Sequence, residues 1–132
     1  MTSAPELTRN QTLVLGALSR TDGPLSAYTL LDQLRDQGFR APLQVYRALE
    51  KLLEYGLVHR LESLNSFVAC ARPHEHAHGV AAFAICDTCG LVDEFSDGVV
   101  EDRLRIWAEA QTFKLAKTTI ELRGTCAACL AA

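Results

Sequence analysis

Three helix-length amphipathic segments, then two short strand-like runs, then two Cys-x-x-Cys pairs predict an α+β chain. The expected architecture is an N-terminal winged helix-turn-helix unit followed by a small α/β unit closed by a four-cysteine zinc site. We place the first unit at 1–71, a hinge at 72–79 and the second unit, which we expect to dimerise, at 80–132. The bulk composition is compatible with this plan. Of 132 residues, 48% are hydrophobic and 22% charged, the balance of a folded globular chain rather than a disordered one. No apolar run reaches the roughly 20 residues that cross a bilayer, and residues 1–10 lack a secretory layout. A cytoplasmic protein with no membrane partner is expected.

The first helix is expected over Thr8–Ser19, with Leu13, Val14, Ala17 and Leu18 on its apolar side, and Thr21-Asp22-Gly23-Pro24 breaks it. Ser26 reads as the N-cap of the second helix, with Leu25 and Leu30 placed as a hydrophobic staple and Gly38 as its terminator. Pro42 opens the third helix. Val45, Leu49, Leu52 and Leu53 form its inward stripe and Gly56 ends it. That orientation leaves Gln44, Tyr46, Arg47, Glu50 and Lys51 to solvent. An exposed Tyr-Arg pair early in a helix suits DNA recognition, since Arg reads guanine edges or holds phosphate. A plain solvated surface helix is the other reading. Leu57–Glu62 and Phe67–Cys70 then read as a hairpin around Ser63-Leu64-Asn65-Ser66.

Charge decides nothing about nucleic acid. Residues 1–62 carry seven Lys or Arg and seven Asp or Glu; residues 63–132 carry six against nine, which supplies the net −3. A neutral first half binds DNA only if its cations gather on one face.

Cys86-Asp87-Thr88-Cys89 and Cys126-Ala127-Ala128-Cys129 are two metal knuckles. Two intervening residues let both sulfurs of a pair approach one ion at about 2.3 Å, and two pairs complete a tetrahedron. Gly90 suits the tight turn after the first knuckle. Between the pairs we expect a strand (Leu91–Phe95), a helix with Val100, Leu104, Trp107 and Ala108 on one face, and a strand (Lys114–Leu122). Zinc would pin the end of the last strand to the start of the first knuckle strand. Disulfides or a redox pair are the competing readings, but redox Cys-x-x-Cys motifs come singly.

Cys70 belongs to neither pair, and His59, His74, His76 and His78 lie within twenty residues of sequence around it. One free thiol and four imidazoles at a domain seam form a second candidate metal site. A hairpin turning over Leu64-Asn65 would set His59 directly opposite Cys70, where both side chains could reach one ion.

Pro42-Leu43-Gln44-Val45-Tyr46-Arg47-Ala48-Leu49, Gly56-Leu57-Val58-His59, Cys86-x-x-Cys89-Gly90 and Cys126-x-x-Cys129 resemble the ferric uptake regulator family, most closely its zinc-responsive subgroup, over about Thr8–Cys129. The resemblance implies a homodimeric transcriptional repressor of double-stranded DNA operators, AT-rich and palindromic, near zinc-uptake genes, with zinc as corepressor. It implies a structural zinc on Cys86, Cys89, Cys126 and Cys129. It implies a regulatory zinc on His59, Cys70, His78 and Glu94. Between His78 and Cys86 the chain carries one residue more than the family spacing, so His76 rivals His78, and Asp93 rivals Glu94 less strongly. Tyr28, Tyr46 and Arg47 match DNA-contacting positions, and Gln44, exposed on the same helix, is expected to bind DNA with them. A third site using His74, His76 and Glu101 would lack its last histidine. Cys70 favours zinc over iron, manganese or nickel, because iron sensing at this position is expected to use only N and O ligands. Sensing of another divalent metal within the family is one alternative. A zinc-dependent hydrolase built on His59, Cys70 and His78 is another, although no second acid–base pair accompanies those ligands.

Overall fold

The structure, a computed structural model, describes residues 6–71 and 80–132. The expected hinge, with His74, His76 and His78, lies outside the described residues. The chain divides into two compact units, residues 1–73 and 74–132.

The first unit is helical with a two-stranded wing. Helix α1 (Arg9–Ser19) is capped by Thr8, whose hydroxyl accepts from the Gln11 N–H while the Gln11 side chain accepts from the Thr8 N–H. This reciprocal box satisfies two otherwise orphaned donors. Helix α2 (Ala27–Leu34) begins at Ser26, whose hydroxyl accepts from the Thr29 N–H. It runs into a 3₁₀ turn (Arg35–Gln37) that Gly38 ends at φ +97°. Helix α3 (Pro42–Glu54) has Pro42 at its first position. It stops in a paired-bond cap: the Gly56 N–H donates to the Leu53 carbonyl and the Leu57 N–H to the Leu52 carbonyl. Gly56 sits at φ +74°, a backbone state costly to any residue with a Cβ.

Val14, Ala17 and Leu18 of α1, Leu30, Leu31 and Leu34 of α2, and Val45, Ala48, Leu49 and Leu52 of α3 meet in one apolar core. Phe39, Val58 and Phe67 close it. Leu25 and Phe67 exchange both backbone hydrogen bonds, at 3.0 and 2.8 Å, so the α1–α2 link is pinned to the wing.

The wing is an antiparallel hairpin of β1 (Val58–Leu61) and β2 (Ser66–Ala69). Its register differs from the expected one. Leu61 pairs Ser66 and His59 pairs Val68, so His59 is not opposite Cys70. The loop is Glu62–Asn65, one position nearer the N-terminus at each end, with Asn65 at φ +47°. The physical reason is local. The Leu64 N–H returns to the Leu61 carbonyl and the Asn65 N–H to the Glu62 carbonyl, and Asn tolerates the left-handed state better than other non-glycine residues. The slip totals two residues, a whole side-chain period, so Cys70 stays on His59's face as its diagonal neighbour.

In the second unit, β3 (Val80–Cys86) lies between β4 (Val92–Phe95) and β5 (Thr118–Gly124). It pairs antiparallel with β4 and parallel with β5. The central strand was absent from the sequence expectation. Val80-Ala81-Ala82-Phe83-Ala84-Ile85-Cys86 has no alternation because a central strand covered on both faces needs none. The last strand is also displaced, starting at Thr118 rather than Lys114. Helix α4 (Gly98–Ala110) is capped by Asp97, whose carboxylate accepts from the Val99 and Val100 N–H groups.

Of the apolar face expected on α4, only Ala108 is buried within the chain. Val100, Leu104 and Trp107 are exposed, as are Val99 and Ile106. Trp107 leans on Phe113, ring centroids 6.2 Å apart, and Phe113 is itself exposed. No described helix is long and apolar enough to cross a membrane.

Leu49 is 1% exposed. Leu49→Ala should therefore destabilise the first unit by about 2–5 kcal/mol. All three tyrosines lie in that unit and the single tryptophan in the other. Tyrosine circular dichroism in urea should report the loss separately from Trp107 fluorescence.

Candidate metal centre and nucleic-acid interface

Parallel pairing sets Cys86, the last residue of β3, beside Gly124, the last residue of β5. Each strand then leads directly into a cysteine pair. After β3 the chain turns through Asp87–Cys89, with the Gly90 N–H donating to the Cys86 carbonyl and the Cys86 N–H to the Leu91 carbonyl. Gly90 takes φ +79°, as the tight turn requires. After β5, Cys126 caps a single helical turn, α5 (Ala127–Leu130), that carries Cys129.

The four sulfurs converge, all within 4.8 Å of one another. Cys86 Sγ lies 3.8 Å from Cys129 Sγ, and Cys89 Sγ lies 3.7 Å from Cys126 Sγ. A tetrahedron with bonds of about 2.3 Å has edges of about 3.8 Å between sulfurs. The donor set and its spacing therefore fit zinc. The expected pinning point shifts slightly: the cluster joins the ends of β3 and β5, not the start of β4.

Hydrogen bonding already treats one sulfur as an anion. The N–H groups of Cys126 and Cys89 point at Cys86 Sγ, at 3.3 and 3.4 Å. They lower the Cys86 thiol to about 6. Hydrogen bonding with the Cys126 and then the Cys89 side chain pushes the Cys129 thiol up to about 12. At Cys89 the Leu91 N–H works downward, but the Cys86 and Cys126 sulfurs outweigh it and the thiol is raised. Such a cluster holds protons that a divalent cation must displace.

On the wing, His59 and Cys70 are both half-buried, and a ring nitrogen of His59 and Cys70 Sγ lie within 4.8 Å. The Cys70 N–H donates to the Leu57 carbonyl, extending the hairpin ladder by one step and fixing that side chain's direction. Thus the structure brings these two candidates together despite the altered register. In the second unit, Glu94 sits half-buried on β4, paired with Phe83, and Asp93 is exposed. Glu101 is half-buried in the first turn of α4.

On the recognition side, Tyr28 is 64% exposed at the start of α2, and Tyr46 and Arg47 stand exposed early in α3. Gln44 also has a structural job. Its Oε1 accepts from the Arg40 N–H at 2.6 Å and from the Ala41 N–H at 3.0 Å. Ala41, at the N-cap, has no side-chain acceptor, so Gln44 supplies the side-chain cap of α3. The signal was present in the sequence as a Gln three residues after the cap position. Arg47, Gln44, Thr8, Asn10 and Gln11 line a groove of about 270 Å³ between the starts of α1 and α3.

A three-helix unit with a wing, followed by a small mixed sheet bearing a zinc-ready tetracysteine cluster, defines a winged-helix metalloprotein. The chain belongs to the ferric uptake regulator family, whose model matches residues 6–123. It is similar to the zinc uptake regulation protein of Escherichia coli, with 46% identity over 125 residues, 94% of this chain and 72% of that protein. It is also similar to the ferric uptake regulation protein of Vibrio anguillarum, with 36% identity over 106 residues, 78% of this chain and 68% of that one. Among solved structures it is similar to a zinc uptake regulator complexed with zinc and DNA. That match has a TM-score of 0.89 and 43% identity, and it covers 96% of this chain and 84% of that chain.

Two measurements follow from this geometry. Zinc uptake by the stripped protein at pH 7.5 should release at least two protons per ion at the cysteine cluster, since the Cys89 and Cys129 thiols are raised. Calorimetry in buffers of different ionisation enthalpy counts them, and site occupancy should fall as pH drops. Separately, Gln44→Ala should cost about 1 kcal/mol by uncapping α3, whereas Gln44→Glu keeps the acceptor and most of the stability. Urea melts of the two variants give the comparison.

Proposed function

We propose that the chain is a zinc-responsive transcriptional repressor. As a homodimer it binds palindromic, AT-rich operators of zinc-uptake genes, with zinc as corepressor. The observation that carries this reading is a thiol–imidazole pair, Cys70 with His59, on the wing of a DNA-binding fold. A thiolate in the sensing set is borderline soft, matched to zinc and poorly suited to an iron sensor. The higher identity to a zinc uptake regulation protein than to a ferric one points the same way.

Two zinc ions per chain are proposed. Cys86, Cys89, Cys126 and Cys129 hold the structural ion. His59, Cys70, His78 and Glu94 hold the regulatory one, with His76 as the rival to His78. Bound there, zinc would supply a cross-link between ligands from both halves of the sequence. Linkage then requires operator DNA to tighten regulatory zinc by the same factor that zinc tightens DNA. Tyr28, Tyr46 and Arg47 face the operator, with Gln44 holding the helix that presents two of them. The exposed apolar arc of α4, with Val99, Val100, Ile106 and Trp107, offers a face to a second copy. A reducing cytoplasm keeps the five thiols available. The role is regulatory, not enzymatic.

Fluorescence anisotropy with palindromic DNA against buffered free zinc tests the reading, repeated with iron(II), manganese and nickel. Zinc alone should produce tight binding at its physiological buffering. Tight binding with iron(II) but not zinc would transfer the chain to ferric sensing. Arg47→Ala should weaken operator binding by about 1–3 kcal/mol with zinc content unchanged. Cys70→Ala should lose one of two tight zinc ions and the metal dependence together.

A further inference from the structure

Asp87 and Arg123 flank the cysteine cluster and are not ligands. Asp87 lies inside the first knuckle. Arg123 is the penultimate residue of β5, the strand that leads into the second. The Asp87 N–H donates to the Gly124 carbonyl at 2.8 Å, carrying the β3–β5 ladder one step past Cys86. Alongside it, Nε and Nη2 of Arg123 both donate to Asp87 Oδ1, at 2.9 and 2.6 Å. Backbone and side chain thus tie one knuckle to the strand that delivers the other.

A half-exposed ion pair ordinarily contributes little to folding. This one differs in geometry and in place. Two N–H groups of a rigid guanidinium converge on one oxygen, so little ordering is needed to keep the contact. Arg123, Cys86 and Cys126 also line one cleft of about 260 Å³.

We infer that Asp87 and Arg123 form a positioning pair for the tetracysteine centre. The pair holds the two knuckles at metal-binding separation and slows loss of the ion. This inference rests on the reading of the cluster as a zinc site.

The test is zinc transfer from the zinc-loaded full chain to excess chromophoric chelator, following the slow phase after more weakly held metal has left. Arg123→Gln and Asp87→Asn should each speed that phase roughly 5- to 20-fold. The double variant should be no faster than the singles, because either change alone dissolves the contact. Arg123→Lys, which keeps the charge but not the fork, should fall between. Trp107 fluorescence melts of the zinc-loaded variants establish that the unit remains folded. Rates within twofold of the unmodified chain in both single variants would overturn the pair's role, as would a double variant whose two effects multiply. A chain with no slow phase at all would overturn the zinc reading itself.

Discussion

The second unit depends on four sulfurs meeting where two parallel strands end. Among the described residues its buried apolar side chains are few: Ala81, Ala82, Phe83, Ile85, Cys86 and Ala108. A three-stranded sheet with one long helix, one helical turn and so small an interior gains little from burial. The first unit stands in contrast, with three helices and a wing closing on a continuous apolar cluster. A divalent ion held by Cys86, Cys89, Cys126 and Cys129, as proposed, would contribute folding free energy that hydrophobic packing does not provide here. Parallel pairing makes this possible. It brings residues 86 and 124 side by side although 37 residues separate them, so a metal at that point closes a long loop, and it does so where the ladder has already aligned the strands.

The same economy explains α4. A helix whose apolar residues cover more than the surface its own sheet offers leaves Val99, Val100, Ile106 and Trp107 outside. Within one chain these residues look misplaced. In the proposed homodimer they would become an interior shared between protomers, and the unit's shortage of core and its surplus of exposed apolar surface would have one remedy.

Much of this was legible in the residues. The helices of the first unit announced themselves through paired signals, Ser26 at one end and Gly38 at the other, Pro42 and then Gly56, because caps are local chemistry read over a few positions. The doubled Cys-x-x-Cys was legible for the same reason. Features set by distant contacts were harder. Strand β3 carries no alternation, since both of its faces are covered, and its alanines resemble a helix as readily as a strand. The wing's register was missed by two residues because the position of the loop is decided by how Leu61, Glu62 and Asn65 close the turn, not by the strand pattern. Gln44 was read by its position on α3 toward solvent, whereas the orphaned N–H groups of Arg40 and Ala41 claim its oxygen.

The parity of the wing has a consequence for how this hairpin tolerates change. His59 and Cys70 share a face whenever the residues between them place both on pleats of one sign, and the four-residue loop at Glu62–Asn65 satisfies that condition. Lengthening or shortening the loop by two residues would preserve it. An odd insertion absorbed as a change of register would invert one strand, sending the thiol to one side of the ribbon and leaving the imidazole on the other. A slip of the strands past one another at this tip is therefore quantised: the two side chains remain able to share an ion only when it comes in steps of two.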